Sequence, residues 1–131
     1  MIVVDASVLA NALADDDADG DAARDELRAA DRVTAPDLVD VETVSVLRKR
    51  WLSRTLTDQR FEAAVAHLRQ LQFERVPTLR MMRRAFELRA NVSAYDACYV
   101  ALAEVLECEL VTADGRLARA PGPRCAIRIL R

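Results

Sequence analysis

One histidine, three glycines and three cysteines among 131 residues leave little room for several common kinds of active site. The lone histidine, His67, stands inside FEAAVAHLRQL with nothing to mark a partner. Histidine-pair ribonuclease chemistry is therefore unavailable, and a Cys–His nucleophile pair has no support. Gly20, Gly115 and Gly122 are too scattered for a P-loop or a G-x-G-x-x-G turn. No G-x-S-x-G nucleophile elbow occurs. Cys98, Cys108 and Cys125 are odd in number and lack C-x-x-C spacing. That argues against a disulfide framework or a zinc site and suits a reducing compartment. No apolar run approaches the roughly 20 residues that cross a bilayer. The leading MIVVDASVLANAL has an acid at position 5 and no basic residue, unlike a secretory signal. A cytoplasmic protein without membrane association is expected.

What is present is the makeup of a globular protein, 52% apolar and 31% charged. One domain over 1–131 is expected, large enough to bury a core unaided. The net charge of −2 conceals an uneven distribution. Seven acids and one base, Arg24, lie between Asp15 and Glu26, whereas basic residues gather at 48–50, 80–89 and 116–131. All but Lys49 of the 19 basic residues are arginine, whose planar fork suits phosphate and carboxylate. Arg48, Arg83, Arg84 and Arg116 are candidate phosphate contacts; solvated helix faces are the plainer reading of any one cluster.

Short β-branched runs alternate with helical patterns. IVV at 2–4 is an apolar run without polar alternation, as in a buried parallel strand. Helices are expected over 7–14 and 21–30, then a strand RVTA at 32–35 stopped by Pro36. DLVDVETVSVLRKRWL has helical spacing and a basic end, and another helix runs from Thr57 through Leu71. FERV at 73–76, ELVTA at 109–113 and CAIRIL at 125–130 complete the strands, with helices over 79–90 and from Ala94, and a short one after Asp114. This alternation predicts a three-layer α/β/α sandwich around a mainly parallel sheet of about five strands.

In such sheets, sites form outside the carboxyl ends of the strands. Asp5 ends the first strand and Asp114 follows the fourth. Glu42 lies on the helix entered after the second, and Asp96 in the first turn of its own helix. Each has a local explanation. Asp5 can cap a helix, Asp114-Gly115 is a turn pair, and Ser93 with Asp96 forms the S-x-x-D of a capping box. Asp37 and Asp40 rival Glu42. If the four converge, no lysine or histidine offsets them, and the repulsion calls for a cation. Mg²⁺ or Mn²⁺ suits all-oxygen ligands. Two such ions about 4 Å apart hydrolyse phosphodiesters without a histidine or a side-chain nucleophile. A receiver domain would need paired acids after the first strand, and a D-x-D phosphatase an acid where Ser7 stands.

VVDASVL, APDLVDVE, YDACYVALAE and VTADGRLARA together resemble the four acidic blocks of the PIN domain, in order, from Asp5 to Leu117. More narrowly they resemble VapC, the toxin of bacterial toxin–antitoxin pairs. The resemblance implies a Mg²⁺- or Mn²⁺-dependent endoribonuclease with Asp5, Glu42, Asp96 and Asp114 as its acids. Asp5 and Asp96 would be the direct ligands, and Ser7 and Thr112 the hydroxyls bonded within the site. It further implies a homodimer, an RNA substrate, inhibition by a VapB-type antitoxin, and operator DNA engaged only through that antitoxin. The rival function is a catalytically weak corepressor that completes an antitoxin–DNA complex. A nuclease for DNA flaps would need a helical arch for which this chain is short.

Overall fold

The computed structural model describes residues 1–130. Its centre is β1 (Ile2–Val4), the uninterrupted IVV run, with all three residues buried. β2 (Val33–Pro36) pairs with one edge of it and β4 (Glu109–Thr112) with the other, both parallel. β3 (Glu74–Val76) and β5 (Ile127–Ile129) flank these, giving the order β3-β2-β1-β4-β5 with every pairing parallel. The expected five-stranded parallel sheet is thus the observed one. Polarity follows position: β1 is wholly apolar, while the edge strands ERV and IRI each carry an arginine.

Between the strands run α1 (Ala6–Ala14), α2 (Ala18–Ala29), α3 (Val39–Leu52) and α4 (Asp58–Gln70). After β3 come α5 (Met82–Glu87), α6 (Ala94–Leu106) and α7 (Gly115–Arg119). The chain steps outward from β1 to β2 to β3, then returns past β1 to β4. Right-handed crossovers therefore place α1 to α4 on one face and α5 to α7 on the other. The crevice where the direction reverses lies between β1 and β4, at their carboxyl ends. α6 packs across β1, β2 and β4, burying an unbroken run from Ala97 to Ala103. A smaller apolar cluster of Ala10, Leu47, Leu56 and Ala64 joins α1, α3 and α4. Among the described residues no helix is long and apolar enough to cross a membrane.

Three expectations shift. The second helix begins at Ala18, three residues before the expected start. Its first turn holds Asp19 and Asp21, acids favoured by the helix dipole there. The helix expected over 79–90 is instead a 3₁₀ turn, Leu79–Met81, followed by the six-residue α5. The chain then turns through 88–92, with the Asn91 and Val92 N–H groups both donating to the Leu88 carbonyl, so that Ser93 can begin α6. β2 includes Pro36, opposite Val76, rather than stopping before it.

Leu110 is fully buried on β4, the strand that connects the central strand to the edge. Leu110→Ala is expected to cost about 2–5 kcal/mol, read as a lower urea midpoint with an unchanged slope.

Candidate metal centre

The β1–β4 crevice is built around Asp5. This residue ends β1 in extended geometry and serves as the N-cap of α1. Its Oδ1 accepts the Ser7 N–H at 3.1 Å and the Val8 N–H at 3.3 Å, which are otherwise unpaired donors of the first turn. The Ser7 hydroxyl donates to the same oxygen at 2.5 Å. From β4, the Thr112 hydroxyl donates to Oδ2 at 2.5 Å. Each hydroxyl also accepts a backbone N–H from the β4–α7 loop, Ser7 from Ala113 and Thr112 from Asp114, both at 2.9 Å. Both hydroxyl protons being used on Asp5, the 3.4 Å approach of the two hydroxyls is contact rather than a bond. Two strand ends are thereby joined through one carboxylate, which is only 5% exposed. Burial pushes the Asp5 carboxyl above the ordinary carboxylate range, opposed by the Ser7, Thr112 and Val8 donors and reinforced by the charge of Asp96.

Asp96 lies in the first turn of α6. The Ser93 hydroxyl accepts its N–H at 3.1 Å, which is half of a capping box. The return bond to the Ser93 N–H does not form among the described residues. Asp96 is partly buried. Burial and the Asp114 charge raise its pKa, against the Ser93 hydroxyl and the more distant Arg116. Glu42, on α3, is also raised: by burial first, then by the charges of Asp96 and Asp5, with a hydrogen bond from Tyr99 opposing. Asp114 caps α7 through the Arg116 N–H at 2.9 Å. Asp5, Glu42 and Asp96 thus lie near enough for charge to act between them, and Asp114 acts on Asp96. Arg116 is the cation at the rim of this group, with its side chain 88% exposed and Nε 3.5 Å from Asp114.

The rivals of Glu42 sit in different surroundings. Asp40 is gripped in bidentate fashion by Arg75, at 2.7 and 3.1 Å, and Asp37 is exposed. Of the candidate phosphate contacts, Arg84 is a correction. Its guanidinium is spent on Glu104, at 2.7 and 3.0 Å, and on the Gly122 carbonyl, leaving the side chain 16% exposed. Arg48 and Arg83 are exposed and make no salt bridge among the described residues. One participant escaped the sequence reading: Tyr99, whose hydroxyl donates to Glu42 Oε1 at 2.5 Å. It stands one turn beyond Asp96 on the same helix, and that i, i+3 spacing was its only trace in the sequence.

As placed, no three His, Cys, Asp or Glu side chains among the described residues are arranged to hold a metal ion. The fit to a divalent cation is thus one of donor chemistry. Four carboxylates, three of them with raised pKa, are oxygen donors of the kind such an ion takes, and they have no buried cation of their own.

The PIN domain family matches this chain over residues 2–123. Ribonuclease VapC9 of Mycobacterium tuberculosis is 44% identical over 130 residues, covering 99% of this chain and 98% of that protein. Ribonuclease VapC1 of the same organism is 39% identical, covering 98% and 97%. Among solved structures, M. tuberculosis VapC20, described as a sarcin–ricin loop cleaving toxin, superposes with a TM-score of 0.67 at 22% identity. That superposition covers 89% of this chain and 92% of the other.

The raised carboxyls make a stability prediction. An acid whose folded pKa lies above its ordinary value costs stability when ionised, and the cost disappears as pH falls through the folded pKa. In metal-free buffer, Asp96→Asn is expected to melt a few degrees higher than the wild type near pH 7.5. The advantage should shrink with falling pH and be gone below the ordinary aspartate value of 3.8. Melting curves across pH with a chelator present check both parts.

Proposed function

The chain belongs to the PIN-domain family and groups within it with the VapC proteins; from that premise we propose that it is a metal-dependent endoribonuclease, the toxin of a toxin–antitoxin pair. The observation that carries the reading is the convergence of four carboxylates that no buried cation neutralises. Like charges gathered in a half-buried crevice are costly unless they serve a ligand. The relatives' ribonuclease names support RNA as the substrate.

Asp5, Glu42, Asp96 and Asp114 would hold Mg²⁺ or Mn²⁺. Bound there, the ion supplies a Lewis acid for the phosphodiester and makes water acidic enough to serve as the nucleophile. The rest is the work of the side chains. Ser7 and Thr112 fix the Asp5 carboxylate from two sides, so its lone pairs are oriented before anything binds. The α6 amino terminus favours Asp96 as an anion. Arg116, exposed at the rim, meets an incoming phosphate oxygen, and Arg48 and Arg83 remain as more distant contacts. Hydrolysis leaves 5′-phosphate and 3′-hydroxyl ends. Inhibition follows from the same charge: a VapB-type antitoxin that brings an arginine to the four acids competes with the cation. The toxin acts as a homodimer and meets operator DNA only through the antitoxin.

Purified total RNA is expected to be cut at discrete positions in Mg²⁺ or Mn²⁺ and not in EDTA. Asp5→Asn and Asp96→Asn should each lower the rate by about a hundredfold or more, the scale of removing one group that acts on transition-state charge. A wild-type protein inert on every RNA with either ion would sink the proposal. Asp96→Asn is also expected to weaken inhibition by the antitoxin, measured as the loss in affinity of the purified pair.

A further inference from the structure

Tyr99 is the largest of the wholly buried side chains, 1% exposed. A buried phenol must spend its hydroxyl on a partner. Here the partner is Oε1 of Glu42, 57 residues away on another helix, at 2.5 Å. A donor bonded to a carboxylate in a low-dielectric surround makes one of the stronger and more directional hydrogen bonds available.

The consequence for Glu42 is geometric. A glutamate has three rotatable bonds, and with Asp5 and Asp96 both repelling it an untethered carboxylate would turn outward into water. The Tyr99 hydroxyl holds Oε1 inward, and among the described residues nothing else bonds the Glu42 carboxylate, so Oε2 remains available. Asp5 is held in a related way, its Oδ2 by the Thr112 hydroxyl, with Oδ1 taken in addition by Ser7 and Val8. In both pairs a hydroxyl from the carboxyl-terminal half of the chain fixes an acid from the amino-terminal half. Partners of this kind, one bond removed from a ligand, set its orientation.

We propose that Tyr99 is a positioning residue: its hydroxyl orients the Glu42 carboxylate as a ligand for the divalent cation, and it acts through Glu42 alone. This rests on the reading of the four acids as a Mg²⁺ or Mn²⁺ site. A tyrosine that merely filled the core would contribute to stability and leave ion affinity unchanged.

Calorimetric titration of the full chain with Mn²⁺, carried to millimolar concentrations, separates the two. Tyr99→Phe keeps the ring and removes the hydroxyl, and is expected to weaken Mn²⁺ binding about tenfold, with circular dichroism unchanged. In the Glu42→Gln background the same substitution should change affinity by less than about twofold, because independent sites add and coupled ones do not. Wild-type affinity in Tyr99→Phe, or an equal loss in both backgrounds, overturns the proposal. If Tyr99→Phe does not fold, Glu42→Asp leaves the buried ring intact and shortens the carboxylate away from the hydroxyl. It is expected to bind Mn²⁺ about tenfold more weakly, and wild-type affinity there likewise overturns the proposal. A wild-type chain that takes up no Mn²⁺ defeats the metal-site reading itself, a result distinct from any difference between variants.

Discussion

The bonding of one carboxylate organises this structure. Asp5 sits where the central strand becomes the first helix, and it accepts four hydrogen bonds: two from the turn it caps, one from Ser7 and one from Thr112. Because Ser7 and Thr112 in turn take the N–H groups of Ala113 and Asp114, the ends of β1 and β4 are held in fixed relation. That relation brings Asp114 and Asp96 to the same edge. Burying an acid there is tolerable because four donors replace the water it loses. Removing the Thr112 hydroxyl would leave Oδ2 without a donor and loosen the tie between the two strand ends.

Charge is handled differently elsewhere on the molecule. The acidic run from Asp15 to Glu26, the most conspicuous charge feature of the sequence, is largely matched by arginines: Asp16 by Arg60, Asp21 by Arg24, Asp25 by Arg28 and Glu26 by Arg128. Arg75 grips Asp40 and Arg84 grips Glu104. Against this background the cluster of Asp5, Glu42, Asp96 and Asp114 stands apart, with a single exposed arginine at its rim. What sets these acids apart is place: they lie at the topological switch of the sheet, where ligands bind in α/β proteins, and three of them are at least partly buried with their pKa raised by burial first.

Two helices from opposite faces of the sheet complete the edge. α3 supplies Glu42 and α6 supplies both Asp96 and Tyr99, so the Tyr99–Glu42 bond crosses from one layer to the other. α6 is suited to this because its middle is apolar and buried from Ala97 to Ala103 and packs over β1, β2 and β4. Its first turn projects past the sheet with the acid exposed to the crevice. Rigid packing behind a polar first turn places a carboxylate more accurately than a loop would.

Much of this was legible along the chain, because it depends on neighbours in sequence. An apolar triplet followed by an acid identifies a buried strand and what lies at its end, so Asp5 and Asp114 could be located from IVVD and VTAD alone. The alternation of strands and helices implied a parallel sheet, and that sheet has an edge at which acids collect. Spacing was silent where partners lie far apart. S-x-x-D suggested a full capping box at Ser93 and Asp96, yet only half of it forms, and the Asp96 carboxylate lies within the field of Asp114 instead. That Arg75 engages Asp40 and leaves Glu42 to Tyr99 was not visible in spacing, nor was the pairing of Arg84 with Glu104 across from it. Tyr99 read as one more apolar position of a buried helix. Its hydroxyl acquires a role only when α3 is packed against α6. Hydrogen bonds within a turn are written in local spacing, whereas those between layers exist only once the sheet has brought the layers together.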